Sequence, residues 1–430
     1  MTERNLPKSM QTQTDDLPMN NNPRAIFGDY VEPNWNQRLT ITVGPKKADL
    51  VGDSDRVIQS AVDYVSRLGG GTVHILPGTY KLRNSIFLQS NIRLIGSGTD
   101  SVLFKEPSVT TDIIMDGDHW DQEVTLADPK GFQIGDGVRL VSEDPYRKGD
   151  NIIQRTITAS LGNRLKLDRR LSERFHLVGN PKIATNFALI QCTNVNDVVI
   201  ENIALDGNKA NNEMVDKGMF DDGSIRLDES NRINIRNVIV HDFYCDGIVW
   251  GISHDVLVED CHLYDGVRLA IHSGSGSQRS IVRSNYVQRC GEGVYFCWGA
   301  QHGLYEKNVI EDCNYGMTLG HSDSDNLIRD NDIRRSGEAG IYFRGGNKAF
   351  APHRNHIEGN RIVDSGGEKG IAININGEVE SVVVIRNELM ETRDPLSRIG
   401  VLIGSDTSDV RCESNQIEGF AIPIKDLHNT

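Results

Sequence analysis

Two carboxylates and two histidines carry most of the chemistry that this sequence offers. Asp246 in CDGIVW and Glu292 in GEGVYF each stand just before a glycine that opens a short apolar run. His272 lies in AIHSGSGS, where small neighbours leave it accessible, and His321 lies in LGHSDSDN at the exit of another run. If successive runs stack as neighbouring strands about 4.8 Å apart, the backbones of Asp246 and Glu292 are two rungs, roughly 9–10 Å, apart. Side-chain leaning brings such a pair toward the about 6.5–9.5 Å that an inverting glycosidase keeps between acid and base to admit a water. Asp246 and His272 fall on adjacent rungs and can touch, which raises the histidine pKa or tunes the acid. These four residues are the catalytic candidates; the plainer alternative for the two acids is a turn carboxylate that caps backbone amides.

The same outward face gathers groups suited to hold a sugar: Arg226, Tyr295, Tyr342 and Arg344 on the runs, Trp298 and Asp323 in the turns after them. An ordinary exposed strand face carries Thr, Ser, Lys and Glu. Aromatic rings instead stack on pyranose faces, and charged groups bond hydroxyls. Asp323 and Asp325 also suit an Asx ladder or a weak Ca²⁺ site. No cofactor is otherwise required, and no metal site is assigned.

The elements that must position these groups are repeats. Asn237, Asn285, Asn308, Asn331, Asn360, Asn387 and Asn415 recur in one local frame, with Cys261 in the missing rung. A fixed period of about 20–50 residues means a stacked architecture. Each unit reads as short period-two strands between polar turns, and no stretch is regular enough for a crossover helix. A glycine opens the last strand of most units: Gly247, Gly293, Gly316, Gly340, Gly370 and Gly400. Ile225, Ile248, Leu269, Val294, Met317 and Ile341 form one inward column. Leu227, Trp250, Ile271, Phe296, Leu319 and Phe343 form the next. Short strands, internal Asn and no repeated helix predict an all-β parallel β-helix. Each buried Asn can bond the backbone of its coil and the Asn above it, so the Asn residues are structural.

The net charge of −14 argues against a nucleic-acid partner and against an anionic membrane surface. It leaves a carbohydrate partner open, with a local basic cleft inside an acidic shell. No apolar run is long enough to span a membrane, and the N-terminus has no hydrophobic signal core. The sequence as written therefore predicts a cytoplasmic protein, or a periplasmic or secreted one if its N-terminus was trimmed. The seven cysteines show neither metal spacing nor a disulfide framework, and Cys245, Cys261, Cys290 and Cys313 read as small buried fillers.

Along the chain, residues 1–40 read as a polar arm. Residues 41–119 hold a helical cap and the first coils. Val57, Ile58, Ala61, Val62, Val65 and Leu68 make one helical stripe that Asp53 or Ser54 can cap, and Gly69–Gly71 stop it. Residues 120–182 read as an inserted β-rich subdomain, and 183–430 as the main β-helix. The excursion NKANNEMVDKGMFDDG interrupts one turn and is placed to wall a groove.

The segment Ile58-Gln59, Ala61, Gly70-Gly71-Thr72-Val73, Pro77-Gly78-Thr79-Tyr80 and Ile95-Gly96-Ser97-Gly98 closely resembles the N-terminus of the pectate-lyase-like superfamily. The resemblance implies a right-handed parallel β-helix capped by a helix. That superfamily holds hydrolases, lyases, epimerases and non-enzymes. Asp246 in CDGI, His321 in GHS and Arg344 also resemble the polygalacturonase-type hydrolases. The tandem acids expected on the next coil are absent, where YDGV carries Asp265 alone; the tandem Asp221-Asp222 comes earlier, and no Arg-x-Lys follows GIYFR. The expected function is a glycoside hydrolase acting on a poly- or oligosaccharide. A polysaccharide lyase or uronate epimerase is the alternative, with His272 or Tyr295 as base and Arg226 or Arg344 at the carboxylate. A non-catalytic sugar-binding β-helix is the further one. A homo-oligomer such as a trimer fits such a rod.

Overall fold

A strand of three to five residues cannot bury its apolar face alone, and stacking identical strands removes that cost. The computed structural model, which describes residues 32–144, 146–212, 223–367, 370–394 and 397–429, shows this solution. Among these residues an 11-stranded parallel sheet runs from Ile86–Leu88 through Asp246–Gly251, Leu269–Ser273, Glu292–Phe296 and Tyr315–Leu319 to Ile422–Asp426. The other strands of each coil, such as Val256–Glu259 and His262–Tyr264, build a 22-stranded sheet behind it. The register is in step over successive coils: Ile248, Ile271, Val294, Met317, Ile341, Ile373 and Val401 form one column inside the coil. Trp250, Phe296, Phe343 and Tyr305 fill the interior with no more than 1% exposure. Each such side chain contributes about 1.5–3 kcal/mol by leaving water.

The expected column at Leu269 is corrected by this register. Leu269 pairs with Asp246 and Glu292, and Ile271 occupies the inward place. A strand slipped by two keeps the same face inward, so alternation by itself does not fix position along the strand.

The corner between the two strands of the 22-stranded sheet needs a left-handed residue. Asp260, Ser284, Lys307 and Asp330 supply it at φ 53°, 56°, 55° and 53°. Each costs about 1–2 kcal/mol for an L-residue. The next residue offsets that cost. Asn308 accepts from the backbone N–H and the Nδ2 of Asn285 (3.1 and 2.9 Å), and donates to Val282 O and Asn331 Oδ1 (both 2.9 Å). The pattern continues through Asn360 and Asn387 to Asn415. Cys261 donates its N–H to Asn285 Oδ1 at 3.0 Å, at the head of the ladder. Asn237 does not belong to it. It is the left-handed corner residue itself (φ 50°), exposed and bonded to Asn202, while Val238 holds the ladder position.

The cap is α1 (Asp55–Arg67), with Ile58, Ala61, Val62 and Val65 fully buried over the first coil. Leu68 ends the helix and is 58% exposed, so the stripe stops at Val65. Most of the expected arm and the pair Asp221-Asp222 lie outside the described residues. Residues 32–40 are not a free arm. Glu32 accepts from Trp35 Nε1 and Arg236 Nη2, both at 2.7 Å, and Leu39–Gly44 pairs with Gly71–Ile75. The insertion forms a separate 6-stranded sheet that begins at Thr110, earlier than expected, and ends at Ala184. It has its own core around Leu126, Leu140, Leu167 and Phe175. No described helix is long and apolar enough to cross a membrane.

Candidate active-site cleft

Glycine shapes the outer face of the 11-stranded sheet. A Cβ at Gly293 falls 2.4 Å from Ile310 Cγ2 and 2.6 Å from Gly316 O; at Gly316 the matching distances to Ile333 Cγ2 and Gly340 O are 2.5 and 2.4 Å. The backbone dips inward at these positions, and the residue before each glycine turns outward. Asp246, Glu292 and Tyr315 therefore turn outward in one register column, which Leu269, before Ala270, shares. Val249, His272, Tyr295, Thr318 and Tyr342 make the next.

The diagonal between these columns joins Asp246 to His272. Oδ2 of Asp246 lies 2.8 Å from His272 Nδ1, and neither side chain has exposed surface. A carboxylate only accepts, so Nδ1 is the donor in this pair. The ring edge of Tyr295 meets the His272 ring at 4.9 Å and 85°. Two expectations change here. His272 is enclosed despite its small neighbours, because Asp246 and Tyr295 pack on it. Asp246 does not face Glu292 across a water: Leu269 stands between them in the column, and Asp246 turns to the histidine.

Glu292 stands at an open cleft of ≈ 240 Å³ lined by Arg268, Leu269, Tyr295, Asn314 and Tyr315. Burial pushes its carboxyl above the usual range, against the opposing pull of the Thr318 hydroxyl and then of Arg344, His272 and Arg268. Glu292 Oε2 and Arg268 Nη1 are both buried without a hydrogen-bond partner among the described residues. Unsatisfied buried polar atoms are rare in folded chains and gather at working sites. Arg268 and Tyr315 were not among the sequence candidates. The signal for Tyr315 was present, because it holds the position before Gly316 that Asp246 and Glu292 hold before theirs.

Arg344 ties the far wall. Its guanidinium lies over the Tyr295 ring at 4.4 Å, and it donates to Tyr295 Oη and to Phe296 O. Gly320 makes room for it, since a Cβ there falls 2.5 Å from Arg344 Nε. Burial pushes the Tyr295 phenol up. Asp323 is fully buried and accepts from the backbone of Gly299, Ala300 and Gly320 at 3.0, 2.9 and 2.9 Å. Burial nonetheless pushes its carboxyl up to about 7. It is a turn carboxylate, not a group that meets a substrate. Asp325 forms a two-pronged pair with Arg354 at 2.8 and 2.7 Å. Both Asp323 and Asp325 thus already accept donors from the chain itself.

His321 joins neither acid. Its ring lies 5.1 Å from that of Trp298, and its Nδ1 lies 3.7 Å from Cys297 Sγ; burial lowers its pKa. Trp298 is 56% exposed at φ 64°, a strained backbone for a bulky residue that holds the indole out to solvent. Tyr342 stacks on Tyr315 at 5.3 Å and 25°, extending the cleft rim with aromatic surface. Arg226 sits away from the cleft, bonded to Asp228 (3.3 Å) and to Gln154 of the inserted sheet (3.4 Å).

Comparison with known proteins adds the fold's relatives. The family model described as "Right handed beta helix region" matches residues 183–350, 223–388 and 296–423, together more than half of the chain. An exopolygalacturonase from Thermotoga maritima superposes with TM-score 0.54 at 13% identity, covering 92% of this chain and 93% of its own. The tailspike of E. coli bacteriophage HK620, solved with a pentasaccharide, superposes with TM-score 0.50 at 11% identity, covering 91% of this chain and 65% of its own. At such identities the likeness is one of fold. No curated protein matches the sequence.

Proposed function

We propose, from the premise that this chain belongs to the right-handed β-helix family, that it is a carbohydrate-active enzyme, a glycoside hydrolase whose general acid is Glu292. The observation that carries the reading is the state of Glu292: a carboxyl raised by burial, with an unpaired oxygen, in a cleft edged by Tyr295, Tyr315 and Arg268. A raised pKa keeps the proton available for a departing glycosidic oxygen. Tyr315 and Tyr342 offer rings for a pyranose to lie on, and Arg268 offers donors to its oxygens. Asp246 holds His272 in place, and this buried pair supports Tyr295 from behind the cleft wall as a positioning element. The two relatives named above, one an exopolygalacturonase and one holding a pentasaccharide, support a glycan as the substrate class.

A second reading has its own observation. Arg344 donates to Tyr295 Oη and so opposes, without overcoming, the burial that raises this phenol. With Arg268 to neutralise a carboxylate, Tyr295 could abstract the proton next to a uronate carboxyl, as a lyase or epimerase requires. The test is incubation with a panel of polysaccharides, following reducing ends and the absorbance of an unsaturated uronate together. Reducing ends alone support hydrolysis. Both signals support a lyase, and solvent deuterium entering the sugar without cleavage supports an epimerase. Binding with none of the three leaves a sugar-binding β-helix and overturns the enzyme reading.

A further inference from the structure

Away from the cleft, on the outer face of the 22-stranded sheet, we propose that Asp206, His241 and Asp242 form a divalent-cation site. Asp206 and His241 are register partners on neighbouring coils, so their side chains rise from the sheet side by side. Asp242 follows His241 in a left-handed conformation (φ 52°), which folds its carboxylate back toward the same point. One ligand atom from each residue lies within 4.8 Å of the other two. His241 Nδ1 is 2.9 Å from Asp242 Oδ2 and 4.0 Å from Asp206 Oδ1. Metal bonds of about 2.1 Å place ligand atoms roughly 3.0–4.2 Å apart for angles between about 90° and 180°. Both distances sit at the ends of that range, so a small side-chain adjustment closes the set.

The surroundings also fit a cation. The His241 ring lies flat on Tyr264 at 5.1 Å and 9°, which fixes the direction of its nitrogens. Lys209 Nζ lies 3.4 Å from Oδ1 of Asp242, the oxygen not turned to His241, and also donates to Asp265 O. Asp206 Oδ1 accepts the Asn208 N–H at 2.8 Å, and among the described residues no lysine or arginine pairs with Asp206. Two carboxylates against one ammonium leave the cluster net negative. The three side chains are 20–41% exposed, open to ions from solvent. One imidazole with two carboxylates suits Zn²⁺ or Mn²⁺ better than Ca²⁺, which prefers six to eight oxygens. An ion here would staple two coils four residues before Asp246.

The test uses the full chain stripped with a chelator and then titrated separately with ZnCl₂, MnCl₂ and CaCl₂. Bound metal per chain is measured after gel filtration, with Tm alongside. One equivalent of Zn²⁺ or Mn²⁺, a Tm raised by several degrees and little response to Ca²⁺ are expected. D206N and H241Q should each weaken binding by about 10–100-fold or more while the metal-free Tm and far-ultraviolet spectrum stay as in the unaltered chain. Uptake below one equivalent for every ion, or uptake that survives both substitutions, overturns the proposal.

Discussion

Glu292 is where the chemistry of this chain can be tested most directly. Removing a general acid costs about 10²–10⁴-fold in rate, so E292Q should lower kcat by that order with little change in KM, measured on whichever polysaccharide the panel identifies. The sign of the pH effect follows from burial raising this carboxyl. The acid form persists to higher pH than usual, and kcat/KM should fall as pH rises through the raised pKa. E292Q cannot titrate, so its residual activity should lack that limb. Stability follows the same linkage. The folded state favours the protonated form, so its contribution is complete below the unfolded pKa and is lost as pH rises through the folded one. The Tm of E292Q minus that of the unaltered chain should therefore grow with pH. Asp246 works through His272, and D246N should reduce kcat and change the pH profile while KM holds; a purely structural role would lower Tm alone.

At the scale of the element, two columns hold the rungs in place. Asn308 is fully buried and bonded on both sides of its amide. N308A would leave donors on Asn285 and the acceptor on Asn331 partly unpaired at about 1–3 kcal/mol per group, for a loss of about 3 kcal/mol in urea unfolding. The glycine column is just as intolerant. G316A would press a methyl on Ile333 and on the Gly340 carbonyl and cost about 1–3 kcal/mol. Because Gly316 also sets the outward turn of Tyr315, the variant should raise KM as well as lower stability. The Asn ladder and the glycine column were legible in the sequence because a solenoid repeats its constraints at a readable period. Asn237 was misplaced by one residue because a left-handed corner accepts Asn as readily as the ladder does. The Leu269 strand was misplaced by two because alternation along a regular strand does not fix position along it, and Leu269 itself turns outward where that regularity breaks.

For the whole molecule, the solenoid and the inserted sheet have separate cores and are joined by polar contacts. Arg83 donates to both oxygens of Asp136 at 2.7 and 2.8 Å, and the Asp136 carboxylate is buried. R83A strands that charge, so the insertion should loosen at a cost of about 3 kcal/mol, seen as earlier hydrogen exchange over residues 110–184 than over the coils. The sequence by itself determined the solenoid, the capping helix, the insertion and the face on which acids and histidines collect, because period and alternation act locally and repeat. It also placed Asp246 and Glu292 in one column two rungs apart. Only the tertiary structure decided which of these groups meet. Enclosure of Asp246 with His272, exclusion of His321, removal of Asp323 into a turn, and recruitment of Arg268 and Tyr315 depend on side-chain direction and burial between coils. Those are set by contacts some 23–49 residues apart in the chain, which no local pattern encodes.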